Sequence, residues 1–142
     1  ADTSGNDGDT IVIEKVIILD KIYKNVEITL NNIYYDYDKW NIRTDAAQGL
    51  DTLVSILQKN PTIKIQLSSD TDCRGKEKYN EMLSQKRAES VVQYLISKGI
   101  AADRLTAKGY GKSMPIEKCE CTQCTEEQHQ RNRRTTFKIL SE

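Results

Sequence analysis

A membrane-spanning helix needs roughly 20 consecutive apolar residues, and no run in this 142-residue chain approaches that length. The first ten residues, ADTSGNDGDT, also lack the basic and apolar regions of a signal peptide. Direct membrane insertion by this segment is therefore not expected, and an anchor or signal upstream stays open. Net charge is missing too: 21 basic and 21 acidic residues cancel, so no long-range field draws the chain to nucleic acid or to an anionic membrane. Recognition has to be local. The marks of common enzyme classes are likewise absent, with no glycine-rich phosphate loop, no nucleophile elbow and no zinc-protease helix. Only one histidine is present, His129. A histidine dyad is thus excluded, and its charged setting, EEQHQRNRR, reads as a solvated surface position. No catalytic residue, metal or cofactor is assigned, and the chain is not expected to be an enzyme.

What remains is one domain's worth of chain. Residues 1–10 read as a flexible linker and residues 11–142 as the domain. From Thr10 to Leu30 short apolar runs alternate (Ile11, Ile13; Val16, Ile18; Val26, Ile28, Leu30), with Lys24-Asn25 as a turn, which predicts strands paired with each other. Asn32 to Trp40 is aromatic and acidic at once and reads as a strand end running into a loop. Thr44 is placed to cap a helix whose Leu50, Leu53, Val54 and Leu57 share one face, closed by Pro61. Ile63, Ile65 and Leu67 alternate as a strand with one buried face, ending in the polar loop Ser68 to Gly75.

A longer helix is predicted from about Glu77 to Lys98, with Gly99 closing it. Asp103 to Tyr110 is a short strand, and a loop with Pro115 and three cysteines follows. Thr125-Glu126-Glu127-Gln128 opens a short helix with acidic residues where the dipole favours them. Phe137 and Ile139 alternate in a final strand. The order strand, helix, strand, helix, strand, helix, strand predicts an α+β fold: a mixed sheet with helices on one face, preceded by an N-terminal strand pair, with parallel neighbours across the long helices.

The informative segment is Thr71 to Ala88, TDCRGKEKYNEMLSQKRA. An acid sits in a loop after a strand, and Asn80 and Arg87, seven apart, share a face of the next helix with roughly 10 Å of rise between them. Asp72, Asn80 and Arg87 would offer a carboxylate, an amide and a planar guanidinium, which together match a zwitterion with ammonium and carboxylate on one carbon. The plainer alternative is a surface ion pair between Asp72 and Arg87, worth about 0 to 1 kcal/mol. Four cysteines, Cys73, Cys119, Cys121 and Cys124, suit a disulfide framework in an oxidising compartment. Cys119, Cys121, Cys124 and His129 could instead ligate zinc, but C-x-C-x2-C-x4-H is not a common zinc spacing. A thioredoxin-like context for Cys121-x-x-Cys124 is lacking.

Three separated segments, TDCRGKEKYNEMLSQKRAESVVQYL, RLTAKGYGKSMP and HQRNRRTTFKIL, resemble the successive signatures of OmpA-like domains, in order and spacing, over about residues 28–140. The resemblance implies a βαβαβ-type domain on the periplasmic face of the outer membrane. It would bind the diaminopimelate residue of peptidoglycan stem peptides and tether the membrane to the wall. By the same resemblance Asp72 of TDxxG would meet the ligand's ammonium and Arg87 of LSxxRA its carboxylate. Thr71, Asn80, Asp38 of the aromatic-acidic strand end, and Arg133 of the closing NRR would be secondary contacts. Similar domains carry a paired-cysteine loop before a TEEEHQ-like segment, implying that Cys124 pairs with Cys119 or Cys121 and leaving Cys73 for the remaining one. Two departures stand out. Asp70 adds a carboxylate before the TD pair, strengthening attraction for an ammonium or weakening it for a carboxylate. Cys73 replaces a small polar residue and puts the pocket's rim in question. The competing functions are an envelope protein–protein interaction domain and, more remotely, a zinc or thiol redox site. Oligomeric state is not legible.

Overall fold

The computed structural model describes residues 27–30 and 39–141. The expected linker, the strands before Glu27 and the expected ligand contact Asp38 lie outside the described residues. Four strands are described: β1 (Glu27–Leu30), β2 (Lys64–Asp70), β3 (Leu105–Gly111) and β4 (Arg134–Ser141). They form one sheet in the order β1-β4-β2-β3. Three α-helices alternate with them: α1 (Ala47–Lys59), α2 (Glu77–Ser97) and α3 (Glu126–Asn132). β2 and β3 run parallel across α2, as the helical crossover requires, while β4 lies antiparallel to both β1 and β2. β1 and β2, joined through α1, are not the parallel neighbours expected, because β4 pairs between them. The expected α+β fold with a mixed sheet is the one observed.

One sheet face carries Ile28, Leu30, Ile65, Leu67, Phe137 and Ile139, and α1 and α2 close it with Leu50, Leu53, Leu57, Val91 and Leu95 in a single buried cluster. Both long helices contribute to the same core and so lie over the same face. Two local expectations change. Thr44 does not cap α1; it opens a 3-10 turn, Thr44–Ala46, that leads into the helix. Ser68, Ser69 and Asp70 are not loop but the end of β2, and they are buried. β2 is an inner strand, bonded to β3 on one side and β4 on the other, so its polar end has its backbone groups satisfied within the sheet.

Helix α2 sets up the functional end of the molecule. Its buried stripe reads Asn80, Ser84, Arg87, Val91, Leu95 at i, i+4, i+7, i+11 and i+15, so one face turns from polar to apolar along its length. The apolar half packs into the core. The polar half sits where β3 presses close: a Cβ on Gly109 would collide with the backbone of Gln85. Gly109 and Gly111 donate their N–H groups to Gln85 Oε1 (2.7 Å) and Ser84 Oγ (2.8 Å).

Candidate functional site

The loop from β2 to α2 begins still tied to the sheet, with the Thr71 N–H donating to the Gly111 carbonyl at 2.8 Å. The Thr71 hydroxyl donates to the Asp72 carbonyl at 2.9 Å. Asp72 then organises its own turn, Oδ1 accepting the Arg74 N–H at 2.9 Å, as short acidic side chains do in Asx turns. The Arg74 side chain folds back onto the same carboxylate, Nη2 to Oδ2 at 2.8 Å and Nε to Oδ1 at 3.3 Å. Arg133, just past α3, donates Nη1 to Asp72 Oδ2 at 2.6 Å and Nη2 to Glu126 Oε2 at 3.0 Å. Arg74 Nη1 reaches Glu126 Oε1 at 3.4 Å and closes a ring of alternating charges, Asp72, Arg74, Glu126, Arg133.

The ring fixes the ionisation of Asp72, which is 7% exposed. Burial pushes its carboxyl up, but the hydrogen bonds from the Arg74 side chain and backbone and from Arg133, with the charge of Arg74, outweigh that and bring it from 3.8 down to about 2. The hydrogen bond from Arg133 likewise draws Glu126 below its usual value, against desolvation and with help from the charges of Arg133 and Arg74.

Gly75 turns the chain into α2 with φ +92°, a conformation that costs side-chain-bearing residues energy. Lys112 Nζ donates to its carbonyl at 2.8 Å, and Asn80 Nδ2 donates to the Arg74 carbonyl at 2.9 Å. Asn80 thus acts as a brace from the helix to the loop. Two turns further on, Arg87 is also 7% exposed, and its Nε donates to the Lys39 carbonyl at 2.9 Å.

The described contacts therefore gather Thr71, Asp72, Asn80 and Arg133 around one loop, with Arg87 along the same face of α2. The simple surface pair between Asp72 and Arg87 does not form, because Asp72 is taken by Arg74 and Arg133. Asp70 does not add an unanswered charge: it is buried and its carboxylate lies 3.6 Å from Arg134 Nη2. Arg74 and Glu126 were missed by the sequence reading. Arg74 carries a weak signal, standing two residues after a turn-forming aspartate; Glu126 carries none beyond its favourable place in the first turn of α3.

The cysteines form two disulfides, Cys73–Cys121 with Cα atoms 5.8 Å apart and Cys119–Cys124 at 5.5 Å. The first staples the Asp72 loop to the segment ahead of α3, so Cys73 buttresses the rim. Helix α3 starts with a capping box, Thr125 and Gln128 bonding reciprocally through side chain and backbone. His129 corrects the expectation of a solvated surface residue. With Asn132 it forms the inner face of the helix, 5% exposed, its Nδ1 3.9 Å from Cys73 Sγ. Its charged neighbours belong to the outer face.

Known proteins are similar to this chain in sequence and in fold. The OmpA family matches residues 34–133. A peptidoglycan-associated lipoprotein of Pasteurella multocida is 36% identical over 85 residues, 60% of this chain and 57% of that protein. A photosystem I P700 chlorophyll a apoprotein A2 of Gloeobacter violaceus is 39% identical over 85 residues, but these make up only 10% of it. The chain thus spans between a tenth and just over half the length of these curated relatives. The crystal structure of the peptidoglycan-associated lipoprotein from Burkholderia pseudomallei superposes with a TM-score of 0.67 at 28% identity, covering 75% of this chain and 87% of that one. With more than half of its length inside the matched region and that fold in common, the chain belongs to the OmpA family.

Proposed function

We propose that this domain binds peptidoglycan non-covalently, taking the amino-acid end group of diaminopimelate in a stem peptide, and so tethers the outer membrane to the cell wall from the periplasmic side without a catalytic step. Family membership and a relative named for its association with peptidoglycan support the wall as partner. The observation that carries the reading is the pair of charges, Asp72 and Arg87, each 7% exposed, at the end of the fold where the core-facing stripe of α2 turns polar. Burying charge costs several kcal/mol per ion unless partners answer it, and such positions cluster where function needs them.

In this reading Arg87 grips the ligand's carboxylate through its planar fork and Asp72 receives the ammonium. Asn80, Thr71 and Arg133 hold that geometry, and Asp38 remains a secondary contact. To reach Asp72 the ammonium displaces Arg74, whose side chain is 51% exposed. Arg133, at 32%, stays as the fixed partner. Each contact contributes about 1.5 to 3 kcal/mol, so free-ligand affinity is weak, and many anchored copies facing one polymer make up the difference through effective concentration.

Calorimetry with a diaminopimelate stem peptide, and with its lysine analogue that lacks the second carboxylate, tests this. Wild type should prefer the diaminopimelate form about tenfold or more, and Asp72→Asn and Arg87→Ala should each weaken it about tenfold or more. Arg74→Ala should retain binding. Equal affinity in wild type and both site variants would overturn the assignment, and no binding to stem peptide or to isolated wall would overturn the function.

A further inference from the structure

Cys73 Sγ, Cys124 Sγ and a ring nitrogen of His129 lie within 4.8 Å of one another, although the two cysteines belong to different disulfides. Cys121, bonded to Cys73, stands in a Cys121-x-x-Cys124 pair across a 3-10 turn, and two- to four-residue spacing is the usual chelating step of structural zinc sites. We propose that in the reduced protein Cys73, Cys121, Cys124 and His129 bind one zinc ion tetrahedrally, and that Cys119 is not a ligand.

Three of the four ligands already stand together, and Cys121 Sγ, bonded to Cys73 Sγ, has to swing away from it once that disulfide opens. Zinc with Zn–S of about 2.3 Å and Zn–N of about 2.0 Å holds its ligand atoms roughly 3.5 to 3.8 Å apart. Cys73 Sγ and His129 Nδ1 already stand at 3.9 Å. His129 is buried on a capped helix, so its ring is positioned in advance, and the ligands come from three separate parts of the domain: the Asp72 loop, the turn before α3, and α3 itself. The set differs from the contiguous Cys119, Cys121, Cys124, His129 that the sequence suggests, because the fold brings Cys73 in from 48 residues away.

The chemistry balances with a dithiol reductant. Each disulfide takes two electrons and two protons from one dithiol, which leaves as a disulfide, giving four thiols in all. Zinc then displaces the protons of three of them and binds the neutral imidazole, and Cys119 keeps its proton. The metal would fasten the Asp72 loop to the turn before α3, as the Cys73–Cys121 disulfide does in the oxidised state, and through His129 to α3 itself. The inference does not depend on what the Asp72 loop binds.

The test uses the full chain, reduced anaerobically with a dithiol that is then removed, and titrated with zinc and, for spectroscopy, cobalt. One ion per chain is expected, with a thiolate-to-cobalt charge-transfer band and tetrahedral ligand-field bands; the oxidised protein should take none. Cys73→Ser, Cys121→Ser and His129→Gln should each weaken zinc binding about 100-fold, while Cys119→Ser leaves it within about threefold. An unfolded reduced chain would bind zinc loosely through any of its cysteines, so equal losses in Cys119→Ser and Cys121→Ser overturn the proposal. No zinc uptake by the reduced wild type, or none of the loss in His129→Gln, also overturns it.

Discussion

Asp72 keeps its charge because Arg74 and Arg133 hold it on two sides, and this has a consequence in acid. Its folded pKa, about 2, lies below the 3.8 of a free side chain. A depressed carboxylate stabilises the fold fully above its unfolded pKa, and that stability is lost as pH falls toward the folded one, here between about 4 and 2. The amount is on the order of 2 kcal/mol. Carboxyl-carbon NMR titration of the oxidised protein should give Asp72 a midpoint near 2, and Arg133→Ala should raise it; a wild-type midpoint near 4 would contradict the ring of charges. Asp72, Asn80 and Arg87 were legible as residues because their spacing and the likeness of three segments single them out. Arg133 was legible only through the closing NRR, as a secondary ligand contact and not as the partner of Asp72. Nothing in the sequence places Arg133 against Asp72, 61 residues away, since that contact depends on where α3 ends relative to β2.

At the scale of elements, the close approach of β3 to α2 keeps the polar stripe of α2 against the loop. Gly109→Ala would drive a methyl group into the backbone of Gln85, and overpacking of this kind costs about 1 to 3 kcal/mol. Denaturant unfolding checks it, and a change under about 0.5 kcal/mol would mean the two elements separate freely. Removing the capping side chain with Thr125→Ala should cost about 1 kcal/mol. Helices α1 and α2 were predicted from their periodicity and appear nearly where expected. The end of β2 was not, because Ser68, Ser69 and Asp70 read as loop by composition, and only their place between two neighbouring strands keeps them in the sheet. His129 reads as solvated for a related reason: a seven-residue helix among charges shows no apolar stripe, yet it has an inner face.

For the molecule as a whole, the disulfides tie sequence-distant parts together unequally. By loop-closure entropy, a 48-residue separation is worth about 4 kcal/mol and a five-residue one about 2 kcal/mol. Cys73→Ser/Cys121→Ser should therefore lower unfolding free energy about twice as much as Cys119→Ser/Cys124→Ser, measured in metal-free denaturant titrations; equal losses would mean the longer closure contributes no more than the short one. The sheet order, with β4 between β1 and β2, gives this staple its reach, because it brings the chain's last turns beside the loop that follows β2. The most direct test of that arrangement as a binding site is an NMR titration with a diaminopimelate stem peptide, following the Asp72 carboxyl carbon and the Arg87 Nε. Both signals should shift together and saturate with one midpoint. Shifts confined to other surfaces, with Asp72 and Arg87 unmoved at saturation, would contradict it.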